Sequence, residues 1–219
     1  MEAELDVILP CLNEAVTLPG VLAALPPGCH PLVVDNGSTD ATATVARTHG
    51  ARVVVEPRRG YGAAVHAGLD HAEHEYVAVL DADGSLDPAV LPVLLRCVAA
   101  GTADLAVGRR RPVGRGVQPW HARAANAMVA ALLRRRDTPV HDIAAIRVAR
   151  RDALLALGVR DRGFGYPLEL LLRATRAGWR ISELDVAYRA RAGGRSKVSG
   201  SVRGTVRAAL DMAAVAVRG

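Results

Sequence analysis

"YVAVLDADGS", residues 76–85, decides the fold. Tyr76–Leu80 is an unbroken apolar run of strand length, closed by Asp81, Ala82, Asp83 and Gly84. Such a run between polar and glycine punctuation reads as a strand buried on both faces. Side chains alternate along a strand, so two carboxylates one residue apart leave the chain on the same side. The run therefore predicts a covered sheet with two aspartates at one strand end.

Four further runs repeat the pattern upstream and downstream: Val7–Leu9, Leu32–Val34, Val53–Val55 and Leu105–Val107. Each is short, rich in β-branched residues and read as buried on both faces. Between them lie helix-like segments at Glu14–Leu25, Thr39–His49, Tyr61–Glu73 and Pro88–Ala99. Ser38 or Asp40 can cap the second, and Asp87-Pro88 supplies a cap and first-turn proline for the fourth. Strand–helix alternation at this spacing predicts an α/β fold: a Rossmann-like, mostly parallel sheet with helices on both faces. Farther along, the pattern predicts a loop from residue 109, a helix from about Trp120 and a strand at Ile143–Val148. A short helix at Asp152–Leu157, a helix at Pro167–Ala177, a strand at Ile181–Val186 and a helix at Ser201–Val217 follow. No repeat or linker interrupts the chain, so residues 1–219 are expected to form one domain.

In open α/β sheets ligands bind beyond the carboxyl ends of the strands. Four such ends carry polar residues here: Pro10-Cys11-Leu12-Asn13-Glu14, Asp35 through Asp40, Glu56 through Gly62, and Asp81 through Ser85. Any one of these could be ordinary turn chemistry. Four together point to a site. Carboxylate oxygens are hard ligands suited to Mg²⁺ or Mn²⁺, and magnesium is commonly held by one or two carboxylates plus substrate phosphates. In the loop Arg58-Arg59-Gly60-Tyr61-Gly62, the glycines allow close backbone approach and the following helix start favours anions. An ordinary strand-to-helix turn explains the loop equally well.

Composition narrows the class. Half of the 219 residues are apolar and 23% are charged, which is globular and not disordered. No apolar run reaches the length of a membrane span, and no signal peptide is evident, so a cytoplasmic protein is expected. Cys11, Cys29 and Cys97 lack metal-like spacing and are expected to be reduced core thiols. The net charge of +6 conceals an asymmetry. Residues 1–108 hold 5 basic and 14 acidic side chains; residues 109–219 hold 23 and 8. An acidic half fit for a cation thus joins a basic half fit for anions. Few aromatics are available to stack bases, which weighs against nucleic acid as a partner. Lys197 is the sole lysine among 28 basic residues. A compact point charge in "GRSKVSG", residues 194–200, reads either as functional or as a solvated loop residue. Asp142 and Glu169 are acidic candidates in the basic half, with ordinary ion pairing as the alternative. His66, His71 and His74 are expected on a helix surface.

"LPCLNE", "VVDNGSTD", "EPRRGYGAA" and "VLDADGS", in this order at these strand ends, resemble family 2 glycosyltransferases of the GT-A fold. The polyprenyl-phosphate sugar transferases, the dolichol-phosphate mannosyltransferase-like group, are the most similar. "HDIAAIRVARRDAL", "YPLELLLRATRAGWRISELDVAYRAR" and "GRSKVSG" extend the resemblance over nearly the whole chain. It implies a nucleotide-diphosphate sugar as donor, of the UDP-glucose or GDP-mannose type, and Mg²⁺ or Mn²⁺ as cofactor. Pro10, Leu12 and Glu14 match the nucleoside pocket, Asp35 the base or ribose contact, and Asp81, Ala82 and Asp83 the nucleotide and metal motif. Asp83 is the expected direct ligand, with Asp81 beside it. Arg59 and Gly62 fall on the donor side, and Arg195 and Lys197 match a loop that closes over donor or acceptor phosphate. Arg109 or Arg110, Arg123 and Asn126 match acceptor positions. Residues 1–108 thus read as the nucleotide-sugar and metal half, and 109–219 as the acceptor half.

Proton bookkeeping favours an acceptor phosphate over a hydroxyl. A hydroxyl must lose its proton to a general base, whereas a phosphate monoester, with a second pKa of about 6, is already ionised. The Arg-rich, carboxylate-poor half suits phosphate. Val202, Val206, Leu210 and Ala213 recur at helical spacing beside Arg203, Arg207 and Arg218, so the last helix could rest on an anionic membrane; core packing explains the stripe as well. The expected enzyme is an inverting, metal-dependent hexosyltransferase acting on polyprenyl phosphate, cytoplasmic or peripheral at the inner membrane face. Catalytic candidates are Asp83, Asp142, Glu169 and Lys197. The alternatives are the same donor chemistry on a hydroxyl acceptor, and a non-enzymatic basic module binding nucleic acid or anionic membrane. The oligomeric state is not legible.

Overall fold

A computed structural model describes residues 3–114, 117, 126–127, 129–131, 133, 140–143, 146–193, 211–212 and 215. Within them one sheet is built from β1 (Leu5–Cys11), β2 (Cys29–Asp35), β3 (Arg52–Val55), β4 (Tyr76–Val79), β5 (Leu105–Pro112), β6 (Ile146–Arg150) and β7 (Ile181–Tyr188). The helices are α1 (Leu18–Ala23), α2 (Thr42–Thr48), α3 (Tyr61–His71), α4 (Leu91–Ala99), α5 (Arg151–Ala156) and α6 (Tyr166–Arg176). A turn of 3₁₀ helix, Pro88–Val90, leads into α4. The strand order is β3-β2-β1-β4-β6-β5-β7. β6 alone runs antiparallel to its neighbours.

Alternation along the strands divides the core between the two faces. Ile8, Leu32, Val77, Val79 and Val107 pack with Val65 and Leu69 of α3 and Leu168 and Leu172 of α6. Val7, Leu9, Val33, Ala78 and Val148 pack with Leu18 of α1 and Leu91 and Leu94 of α4. Each fully buried Val, Leu or Ile contributes roughly 1.5–3 kcal/mol. Helices on both faces of a mostly parallel sheet are what the runs predicted. β3 departs from expectation: it is the sheet edge, and Val55 is 61% exposed. Of the cysteines only Cys11 is fully buried; Cys29 and Cys97 keep part of their surface.

Helix starts differ by a few residues where side chains are diverted. α1 begins at Leu18, four residues later than expected, because Glu14 closes a turn: its carbonyl accepts from the amides of Thr17 and Leu18 at 3.1 and 3.0 Å. α2 begins at Thr42, and Asp40 caps it from two residues upstream, accepting from the Thr42 amide at 3.0 Å. Asp87 accepts from the Ala89 amide at 3.0 Å, the expected cap. The helices predicted from Trp120 and over Ser201–Val217 fall largely outside the described residues.

The topology places one crevice. From β1 the chain steps outward through β2 to β3, then returns to the other side of β1 as β4. Crossovers on opposite sides leave an opening at the carboxyl ends of β1 and β4, where ligands of such sheets bind. Glu14 follows β1 there, and Asp81 and Asp83 follow β4.

Candidate functional site

Asp83 is 7% exposed. One carboxylate oxygen, Oδ1, accepts from the Ser85 amide at 2.9 Å; the other, Oδ2, lies 2.8 Å from Nη1 of Arg191. Arg191 also donates through Nη2 to Oε1 of Glu14 at 2.7 Å, so one guanidinium bridges the β1 and β4 ends. Oε2 of Glu14 accepts from Oγ1 of Thr17 at 3.2 Å, and that hydroxyl lies 2.8 Å from the Ala82 carbonyl. Asp81 stands beside this cluster. Burial, reinforced by the neighbouring Asp83 charge, pushes its pKa up to about 6, against opposing pulls from Arg147, Arg110 and Arg191. A buried carboxylate beside a half-buried one, both drawing guanidinium groups, is a hard-oxygen set that favours positive charge. It fits a divalent cation.

Sequence reading missed two of these arginines. Arg191 was legible only as part of "YRAR". Arg147 sits inside the apolar run of β6, 3% exposed, with Nη1 donating to the Tyr61 hydroxyl at 3.1 Å. A charged residue between Ile146 and Val148 was the available signal.

Of the residues expected to meet the nucleotide, Pro10 is the penultimate residue of β1, paired with Val34, Leu12 follows the strand, and Asp35 ends β2 paired with Cys11 and Val55. Asp35 accepts from the Ser38 amide at 2.9 Å. Asn36 ties the β2 and β3 ends together: Nδ2 donates to the carbonyls of Glu56 and Arg58, and Oδ1 accepts from the Gly60 amide. Arg59 folds back onto the Gly37 carbonyl at 3.0 Å. For the loop at Gly60 and Gly62, read either as a phosphate site or as an ordinary turn, the backbone contacts favour the turn. The amides of Gly62 and Ala63 donate to the carbonyls of Gly163 and Arg162 at 3.0 and 2.9 Å, which occupy the helix start. A Cβ at either glycine would collide with the backbone of Asp161 or Arg162. The close approach is protein on protein.

Among the residues expected to meet the acceptor, strand alternation separates Arg109 from Arg110. Arg109 and Arg111 turn toward Asp185. Arg110 turns inward, its guanidinium 5.7 Å from the Tyr188 ring. Asp142, 2% exposed, accepts from the amide and Nε of Arg110 at 2.8 Å each and from Nη2 at 2.6 Å. Oδ1 of Asn126 joins them, accepting from the Ile143 amide at 3.1 Å. Glu169 is brought to a different group. It accepts from the amides of Arg160 and Asp161 at 3.1 and 2.7 Å and from Nε of Arg173 at 2.6 Å. Burial alone would raise its pKa; these bonds hold it below the ordinary carboxylate value. Arg123, Arg195 and Lys197 lie outside the described residues.

His71 is exposed on α3, as expected, and the other two histidines differ. His66 packs edge-on against Tyr166, and His74, beyond α3, lies 3.2 Å from buried Asp6. At the opposite edge of the sheet His74, His30 and Glu4 gather. The two rings stack 4.3 Å apart at 16°. Parallel rings cannot both aim in-plane lone pairs at one ion, so this group reads as a stack tying β1, β2 and the start of β4. No helix among the described residues is long and apolar enough to cross a membrane.

Comparison with known proteins gives the family. In structure, the chain resembles glucosyl-3-phosphoglycerate synthase from Mycobacterium tuberculosis in complex with Mn²⁺, uridine diphosphate and glucosyl-3-phosphoglycerate. The TM-score is 0.79 at 24% identity, covering 99% of this chain and 79% of that one. The polyprenol monophosphomannose synthase of Mycolicibacterium smegmatis is 35% identical over 221 residues, covering 89% of this chain and 81% of that protein. An uncharacterized glycosyltransferase of Mycobacterium tuberculosis is 61% identical over 206 residues, 94% of each chain. Residues 6–158 match the family model of glycosyl transferase family 2. The chain therefore belongs to the family 2 glycosyltransferases.

Proposed function

We propose that this glycosyltransferase moves a hexose, with inversion, from a nucleotide-diphosphate sugar to a polyprenyl phosphate. The observation that carries the acceptor assignment is the state of the two candidate bases. Asp142 is saturated by Arg110, and Glu169 by Arg160, Asp161 and Arg173. A hydroxyl acceptor needs a carboxylate free to take its proton. An ionised phosphate needs only positive charge to place it, which Arg110 and Arg147 offer with Asn126 beside them. The polyprenol monophosphomannose synthase relative supports the same acceptor class.

In this reading Pro10, Leu12, Glu14 and Asp35 receive the nucleoside. Asp83, with Asp81, would hold Mg²⁺ or Mn²⁺ against the diphosphate, and the ion would neutralise charge on the leaving group. Arg110, Asn126 and the sequence-assigned Arg123 orient the acceptor phosphate; Arg195 and Lys197 cover the phosphates. A phosphate oxygen attacks the anomeric carbon as the bond to the diphosphate oxygen breaks. No proton moves, and the leaving group departs as nucleoside diphosphate. A basic C-terminal half suits approach to an anionic membrane carrying the acceptor.

The test is transfer of labelled sugar from UDP-glucose and GDP-mannose, with Mg²⁺ or Mn²⁺, to a short-chain prenyl phosphate, 3-phosphoglycerate and a panel of alcohols. Efficient transfer to prenyl phosphate is expected. Transfer to alcohols alone, abolished by Asp142→Asn or Glu169→Gln, overturns the acceptor assignment and makes that carboxylate the base. The fold neighbour keeps a second reading open to the same assay, a small phosphorylated hydroxy acid as acceptor.

A further inference from the structure

We infer that Arg191 is a positioning residue of the donor site: it holds the cation's place between Asp83 and Glu14, and metal binding must displace it toward the diphosphate. This rests on the donor-site reading above. Its starting point is the bridge itself, with Nη1 2.8 Å from Asp83 and Nη2 2.7 Å from Glu14. The guanidinium is mostly buried, and its Nε has no hydrogen-bond partner among the described residues. A buried cation held at two points by carboxylates, with a third donor idle, is set to exchange partners.

Charge counting gives the direction. Arg110 is committed to Asp142, so Arg147 and Arg191 are left to answer Asp81, Asp83 and Glu14. A dication entering while Arg191 stays on Asp83 meets both guanidinium charges and finds Oδ2 of Asp83 already taken. A nucleoside diphosphate brings the negative charge that the displaced guanidinium and the ion together require. Metal and nucleotide should therefore bind weakly apart and tightly together.

The backbone on either side of Arg191 is tied to the Asp-x-Asp turn. The Arg189 amide donates to the Ser85 carbonyl at 2.8 Å and the Ala192 amide to the Asp83 carbonyl at 3.1 Å. A Cβ on Gly193 would sit 3.2 Å from Val16. Residues 189–193 thus lie across the Asp-x-Asp turn and the turn before α1.

The experiment is Mn²⁺ titration by electron paramagnetic resonance and calorimetry, with and without UDP or GDP, on the wild type, Arg191→Lys and Arg191→Gln. Expected is tighter binding of free Mn²⁺ in the order wild type, Lys, Gln, with a gain of at least about fivefold for Gln, the low end of coupling between sites. The mutual enhancement of Mn²⁺ and nucleotide should shrink by a similar factor. A purely structural role would weaken both ligands instead. Free Mn²⁺ affinity that is unchanged or lower in both variants overturns the proposal. Should Gln fail to fold, the Lys variant decides alone, because it keeps the charge but not the two-point bridge. Absence of Mn²⁺ binding to wild type even with nucleotide is a different failure: it sinks the donor-site reading itself.

Discussion

Asp81→Asn should stabilise the metal-free protein while disabling it. The Asp81 carboxyl titrates at about 6 in the folded chain, chiefly because burial and then Asp83 disfavour its charge. In the unfolded chain an aspartate titrates at about 3.9. The native state therefore binds the proton more tightly, and stability falls as pH rises from about 4 to about 6, then stays low. A gap of about two pH units corresponds to about 3 kcal/mol at neutral pH. An asparagine of the same shape removes that cost but must itself be desolvated, leaving a gain of about 2 kcal/mol. For a chain of this size that is a rise of roughly 4–8 °C in melting temperature. The assay is thermal unfolding in chelator at about pH 7.5 and about pH 4, where Asp81 is neutral in the folded state. The variant should melt higher at the first pH and slightly below the wild type at the second, where only the cost of desolvating asparagine remains. With Mn²⁺ and nucleotide the order should reverse, since only the wild type gains ligand stabilisation. A difference of the same size at both pH values, or a less stable variant at neutral pH, refutes the assignment of an ionisation cost to Asp81.

Three further outcomes are expected. Asp83→Ala abolishes transfer and metal-dependent nucleotide binding in calorimetry while the circular dichroism spectrum is kept; retained metal-dependent affinity removes Asp83 as ligand. Glu169→Gln lowers the melting temperature but leaves kcat of the folded fraction within about threefold, and its destabilisation fades as pH drops through the lowered Glu169 pKa, where the wild type loses the same bonds. A selective loss of kcat with an unchanged melting curve makes it a base instead. Gly62→Ala costs about 2–4 kcal/mol in urea unfolding, because its Cβ meets the backbone of Asp161 and Arg162; a neutral substitution would show that the α5–α6 loop yields.

Local chemistry made the donor half readable. Runs such as Val7–Leu9 and Tyr76–Leu80 need two covered faces, and that demand alone implies strands alternating with helices. Asp81 and Asp83 at one end of such a run, with Glu14 and Asp35 at two others, are the pattern from which we propose a cation and nucleotide site, because loops of these sheets gather at one edge. Asp87-Pro88 marked its helix start for the same local reason. What no local pattern carries is pairing across sequence distance. The reversed direction of β6, the exposure of β3, and the use of Gly60 and Gly62 to admit the 161–163 backbone depend on which element lies next to which. The same holds for charges. Asp142 and Glu169 looked alike in the chain, two carboxylates among many arginines. Only the tertiary structure commits one to Arg110 and the other to the amides of Arg160 and Asp161. Only it brings Arg191 across 177 positions of sequence to Glu14. A guanidinium pairs with whichever carboxylate the backbone places within about 3 Å, and that distance is set by the packing of the whole sheet.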